Sequence, residues 1–217
     1  THYGVTPPCT NEIIKSKISE VVYAGQDWGG PIGMGALSLS PELLKGAVIL
    51  NTGFNAPKAN ADLSPAHALV KTPVIGELLL EVIFSIFERL KSVQGNPDSW
   101  TSEVAELYGR PVYESGNSKA PLAMMRMVPD GPNHPSAPSM RRIEEYVNTL
   151  EIPAEIVWGE NDPILGRALP IMQQNFPNAR LTKTTAGHFL QEEVPNEIAE
   201  ALIRVIEEVT DSQTQKN

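Results

Sequence analysis

Three short apolar runs constrain the fold of this chain more than any other feature. They are Val21-Val22-Tyr23-Ala24, Ala47-Val48-Ile49-Leu50 and Glu155-Ile156-Val157-Trp158, and each stops abruptly at glycine or polar residues: Gly25-Gln26-Asp27, Asn51-Thr52-Gly53 and Gly159-Glu160-Asn161-Asp162. Continuous β-branched runs of this length suit parallel strands covered on both faces, because an exposed face would show alternation. A weaker fourth strand is expected over Arg180-Leu181-Thr182-Lys183-Thr184-Thr185. Helical patterns fill the intervals at residues 31–39, 168–175 and 195–209, the last with Ile198, Leu202, Val205 and Ile206 at helical spacing. Strand and helix in alternation predict an α/β fold built on a mostly parallel sheet.

Residues 55–146 break that rhythm. They hold no buried-strand run, but helical patterns at 74–93 and 99–107 and a loop rich in proline over 128–138. A long helical insertion between two strands of a parallel sheet predicts a lid over the strands' carboxyl ends, where open α/β sheets bind ligands. The expected division is a core of residues 1–54 and 142–217 and a helical lid of residues 55–141. The most apolar stretch, 74–87, contains Glu77 and Glu81 and is too short to span a bilayer.

Composition narrows the function classes. A net charge of -9, from 26 acids against 17 bases, argues against nucleic-acid or anionic-membrane partners, whose phosphates would be repelled. One cysteine, Cys9, excludes an internal disulfide framework and fits a reducing, cytoplasmic setting. The first ten residues lack the basic-then-apolar order of a signal peptide.

The chemistry-bearing signals follow the strands. Gly25-Gln26-Asp27-Trp28-Gly29-Gly30 is a strand-to-helix elbow with aspartate where a nucleophilic serine is commoner. Glycines suit such a turn because side chains flanking it would clash. The alternative is that Asp27 caps the following helix. Asp162 lies in Trp158-Gly159-Glu160-Asn161-Asp162-Pro163, where it is an acid at a strand end or a turn residue. His188 follows the fourth strand in Gly187-His188-Phe189, with Glu192 and Glu193 nearby. The order Asp27, Asp162, His188 is nucleophile, acid, base, the chain order of the α/β-hydrolase triad.

These motifs, with the continuation Pro31-Ile32-Gly33 after the elbow and Ile164-Leu165-Gly166 after Pro163, resemble the haloalkane dehalogenases of the α/β-hydrolase superfamily. The resemblance runs over essentially the whole chain. It implies that Asp27 is the nucleophile, that His188 activates water and that an acid orients His188. The strand before the lid ends Leu50-Asn51-Thr52 without a carboxylate, so Asp162 is the expected acid and Glu160 its competitor. Trp28 is expected to donate its indole N–H to the departing halide. The family needs a second donor; Trp100 is the one tryptophan of the lid region, though its spacing favours packing. A haloalkane and water are the implied substrates, with no metal and no organic cofactor: the nucleophile is a side chain, and His2, His67 and His134 have no metal-like spacing. Epoxide hydrolases share the aspartate and histidine but add paired lid tyrosines, for which Tyr108, Tyr113 and Tyr146 are the available residues.

The resemblance also implies strands ahead of the nucleophile strand, whereas 20 residues precede Val21. The expectation is an α/β-hydrolase fold truncated at its N-terminus. A complete homologue would be monomeric; a truncated chain would self-associate through its open sheet edge or act as an inactive interaction module.

Overall fold

A computed structural model describes residues 18–58, 71–77, 86–117 and 119–215. Cys9, His2, His67, Glu81 and the middle of the helix expected at 74–93 lie outside the described residues.

The expected strands form one parallel sheet in the order β1 (Val21–Gly25), β2 (Leu44–Ile49), β3 (Ala154–Gly159), β4 (Arg180–Thr184). Tyr23 pairs with Ala47, Val48 with Glu155 and Val157 with Thr182. β2 and β3 are buried along almost their whole length, as continuous apolar runs require. β1 differs from the expectation of burial on both faces: it lies at one end of the described sheet, its first three residues are half-buried and Ala24 is exposed. β4 is the other outer strand, which explains its polar Arg-Leu-Thr-Lys-Thr sequence.

Helix α1 (Gly29–Leu37) leaves the elbow directly and buries Gly30, Pro31, Met34 and Leu37. In the inserted region, α2 (Ser102–Glu114) starts after the side chain of Thr101 accepts the Val104 N–H, so it begins and ends later than the 99–107 pattern suggests. α3 (Ala120–Met127) and α4 (Ala137–Val147) are helices that the sequence pattern does not announce. Pro138 falls in the first turn of α4, where a missing N–H removes no helical bond, so proline there marks a start rather than a loop. α5 (Leu169–Asn175) joins β3 to β4.

The last helix, α6 (Pro195–Thr214), packs its apolar stripe on the sheet. Ala201 and Val205 join Val48, Leu50, Val157, Ala186 and Leu190 in one core cluster. Gly46 of β2 permits the close approach, since a Cβ there would lie 2.6 Å from Val205 Cγ1. Glu155 of β3 receives two bonds of 2.7 Å from the Arg204 guanidinium, neutralising a carboxylate that the sheet buries.

The chain divides into two compact units. One comprises Thr1–Asn55, Val93–Asn96 and Ser139–Asn217 and contains the sheet; the other comprises Ala56–Ser92 and Pro97–Pro138. The strap Val93–Asn96, inside the segment expected to be lid, belongs to the sheet unit. No helix among the described residues is long and apolar enough to cross a membrane.

Candidate active site

The site is assembled at the carboxyl ends of β1, β2 and β3 and in the loop after β4. Asp27 sits at the elbow with φ +46°, a left-handed conformation that costs a non-glycine residue on the order of 1–3 kcal/mol. Its backbone is fixed from both sides: the Asp27 N–H donates to the Asn51 carbonyl at 2.8 Å, and the Thr52 hydroxyl donates to the Asp27 carbonyl at 2.6 Å. Gly30 is demanded by the same contact, because a Cβ there would fall 1.9 Å from Thr52 Oγ1. Beneath the elbow the Tyr23 hydroxyl bonds the Gly29 carbonyl, and burial pushes this phenol up to about 12. The N-cap position of α1 is taken by the next residue, Trp28, and not by Asp27. The Asp27 side chain is 38% exposed.

His188 and Asp162 lie beside it. The Asp162 side chain is fully buried and its Oδ2 is 2.9 Å from His188 Nδ1. A carboxylate only accepts, so Nδ1 donates to it. Nε2 lies 3.9 Å from Asp27 Oδ1. Gln26 donates its amide to the His188 carbonyl at 2.9 Å and reaches within 3.4 Å of Nε2. Asp162 is also a turn residue, as its sequence suggests: Oδ1 accepts the Ile164 N–H at 2.7 Å. Burial works to raise its pKa, but the hydrogen bond and charge of His188, the Asn51 amide and the Ile164 N–H outweigh it and hold the carboxyl below its ordinary value.

Asn51 explains how the end of β2 serves the site without a carboxylate. Its Oδ1 accepts the Gly159 N–H at 2.8 Å, while Nδ2 donates to the Gly159 carbonyl at 2.9 Å and to Asp162 Oδ2 at 2.8 Å. One amide therefore ties the ends of β2 and β3 together and aims the acid. In the sequence Asn51, Gln26 and Glu193 stand out only as neighbours of the expected residues, at strand ends or beside the motifs, and Gln94 not at all. Glu160, the competing acid, pairs instead with Lys183 at 2.8 Å.

Trp28 is half-buried beside Asp27, and its indole N–H has no partner among the described residues. Trp100 does not match the donor expectation: it is buried in the inserted unit, and its indole N–H donates to the Phe87 carbonyl at 2.7 Å. That bond fits the packing role its spacing favours. Tyr108 packs on Trp100 and Tyr113 on Phe87. Tyr146 belongs to the sheet unit, with a buried hydroxyl. His134 bonds the Arg126 carbonyl and the Ser136 N–H.

Comparison with known proteins gives a consistent result. The sequence model of the alpha/beta hydrolase fold matches residues 15–195. A cis-3-alkyl-4-alkyloxetan-2-one decarboxylase of Shewanella oneidensis is 26% identical over 94% of this chain and 64% of its own length. A haloalkane dehalogenase of Mycolicibacterium paratuberculosis is 28% identical over 86% of this chain and 60% of its own length. The chain thus spans under two thirds of the length of these relatives. Among solved structures, a loop variant of a haloalkane dehalogenase from Bradyrhizobium elkanii superposes with a TM-score of 0.79 at 17% identity, covering 95% of this chain and 73% of that one.

Proposed function

The chain belongs to the α/β-hydrolase fold family, and we propose that it is a hydrolase of the haloalkane dehalogenase type, working through an ester on Asp27. The observation that carries this reading is the Asp27, His188, Asp162 array, with 3.9 Å and 2.9 Å between its members. A serine nucleophile would form an ether with an alkyl substrate, which water does not readily cleave; a carboxylate forms an ester, which it does.

In the first step an Asp27 oxygen attacks the carbon bearing the halogen, the carbon–oxygen bond forms and the carbon–halogen bond breaks with both electrons leaving on halide. The Trp28 indole N–H is assigned the stabilisation of that charge. In the second step His188 Nε2 takes a proton from water, whose oxygen adds to the Asp27 carbonyl carbon. Asp162 stabilises the imidazolium. Collapse of the adduct releases the alcohol, which takes the proton, and regenerates the carboxylate. The net change is haloalkane plus water to alcohol, halide and a proton. The inserted helical unit is assigned the role of a substrate-selecting lid.

The test is halide release from a short bromoalkane by the purified protein beside its Asp27→Ala variant. Release that vanishes in the variant supports the reading; release that survives it overturns Asp27 as nucleophile.

A second reading is favoured by the match to the Shewanella relative over nearly the whole chain. An oxetan-2-one also offers a carbon with an oxygen leaving group to a carboxylate. Attack there opens the ring; loss of carbon dioxide then forms the alkene and expels the Asp27 carboxylate, with no water consumed. His188→Phe separates the two: it stalls ester hydrolysis but leaves this route without a missing proton acceptor.

A further inference from the structure

We propose that Glu193 is a positioning residue for His188, joining the strap Val93–Asn96 to the histidine loop, so that ester hydrolysis depends on it and attack by Asp27 does not. The inference rests on the two-step reading above.

Residues 185–189 belong to no helix or strand. A loop without a ladder must satisfy its backbone groups one by one, and at His188 and Phe189 the strap supplies partners. The His188 N–H donates to the Val93 carbonyl at 2.8 Å. The Gln94 amide grips Phe189 at both ends, accepting its N–H at 2.9 Å and donating to its carbonyl at 3.2 Å. Glu193 holds loop and strap at once: Oε1 accepts from Gly187 N at 2.8 Å and Gly95 N at 3.0 Å, and Oε2 accepts from Asn96 N at 2.7 Å. The approach is backbone against backbone. A Cβ on Gly187 would lie 2.3 Å from the Val93 carbonyl oxygen, and one on Gly95 would lie 2.1 Å from that of Thr185.

A carboxylate suits this joint because it only accepts, and all the groups facing it are donors. Glutamine has the same shape but turns an NH2 group toward a backbone N–H. The consequence falls on the His188 ring, which must keep Nδ1 on Asp162 and Nε2 toward the site; displacement of a reacting group by about 1 Å can lower a rate by roughly 100-fold. Asp27 is held through Asn51 and Thr52 instead, and the bonds that fix it do not include Glu193.

The experiment compares the purified protein with Glu193→Gln and Glu193→Asp in single-turnover reactions with a bromoalkane, following halide, alcohol and intact protein mass. For Glu193→Gln the expected result is first-turnover halide release within about threefold of the parent, alcohol formation slowed about 10-fold or more, and a protein carrying one alkyl group. Glu193→Asp should recover part of the second step. Halide and alcohol falling together, or alcohol formation unchanged, overturns the proposal. Nitrogen NMR of the His188 ring gives a readout independent of turnover: its Nδ1 resonance should shift or broaden in Glu193→Gln while the strand resonances stay in place, and an unchanged ring overturns the proposal even if the parent releases no halide. A parent without halide release, but with the shifted ring in the variant, counts against dehalogenation alone. If Glu193→Gln does not fold, Gln94→Ala loosens the same loop from the strap side and should give the same split between the steps.

Discussion

At the scale of single residues, Asp27 is held differently from the two residues beside it. Asp27 is presented by a strained backbone, while Asp162 and His188 are buried and bonded. In His188→Phe, halide release should continue for one turnover and an alkylated protein should build up, visible by intact mass; prompt alcohol release would refute His188 as the base. Asn51 donates at 2.8 Å to the same Asp162 oxygen that meets His188 Nδ1. Asp162→Asn should slow alcohol formation at least tenfold, and Asn51→Asp in that background should restore part of it in steady-state assays. The lowered pKa of Asp162 also links to stability. Because the unfolded chain takes up this proton first as pH falls, the contribution is complete above the ordinary value of 3.8 and is lost as pH falls through the lower folded value. The gap in urea midpoint between the parent and Asp162→Asn should therefore be constant above roughly pH 5 and close below pH 4.

At the scale of elements, two contacts make separate claims on stability. Gly46 lets α6 settle on β2, and Gly46→Val should lower stability by about 1–3 kcal/mol through overpacking against Val205 and Val209, read as a drop in the urea midpoint. Thr101 caps α2 in the inserted unit, away from that core. Thr101→Ala should cost about 1 kcal/mol, appearing as faster amide exchange in the first turn of α2 with little change in the sheet. Equal loss of protection in both units would contradict independent local opening.

At the scale of the whole molecule, net charge bears on whether copies repel one another. The chain carries -9 at pH 7 and reaches neutrality near pH 5.0, so repulsion between copies fades on acidification. β1 is the outermost described strand on its side and Ala24 is exposed. Sedimentation velocity should show greater self-association near pH 5 than at pH 7.5, reduced by Ala24→Lys if the β1 margin is the route. Association unaffected by Ala24→Lys would place the contact elsewhere.

The strands, their parallel arrangement and the placement of Asp27, Asp162 and His188 beyond strand ends were legible in the sequence, because short apolar runs and the glycines of a tight turn are local demands that residues record directly. It also recorded α1, α5 and α6 to within a few residues. It did not record α4, since a proline reads as loop until its place in a first turn is known. Folding brings out what the chain does not spell: Asn51 bridges two strand ends, Glu160 turns to Lys183, Trp100 bonds Phe87 and the strap at 93–96 bonds the histidine loop. Each of these is a hydrogen bond between residues far apart in the chain, where an amide or carboxylate has several possible partners and packing selects one.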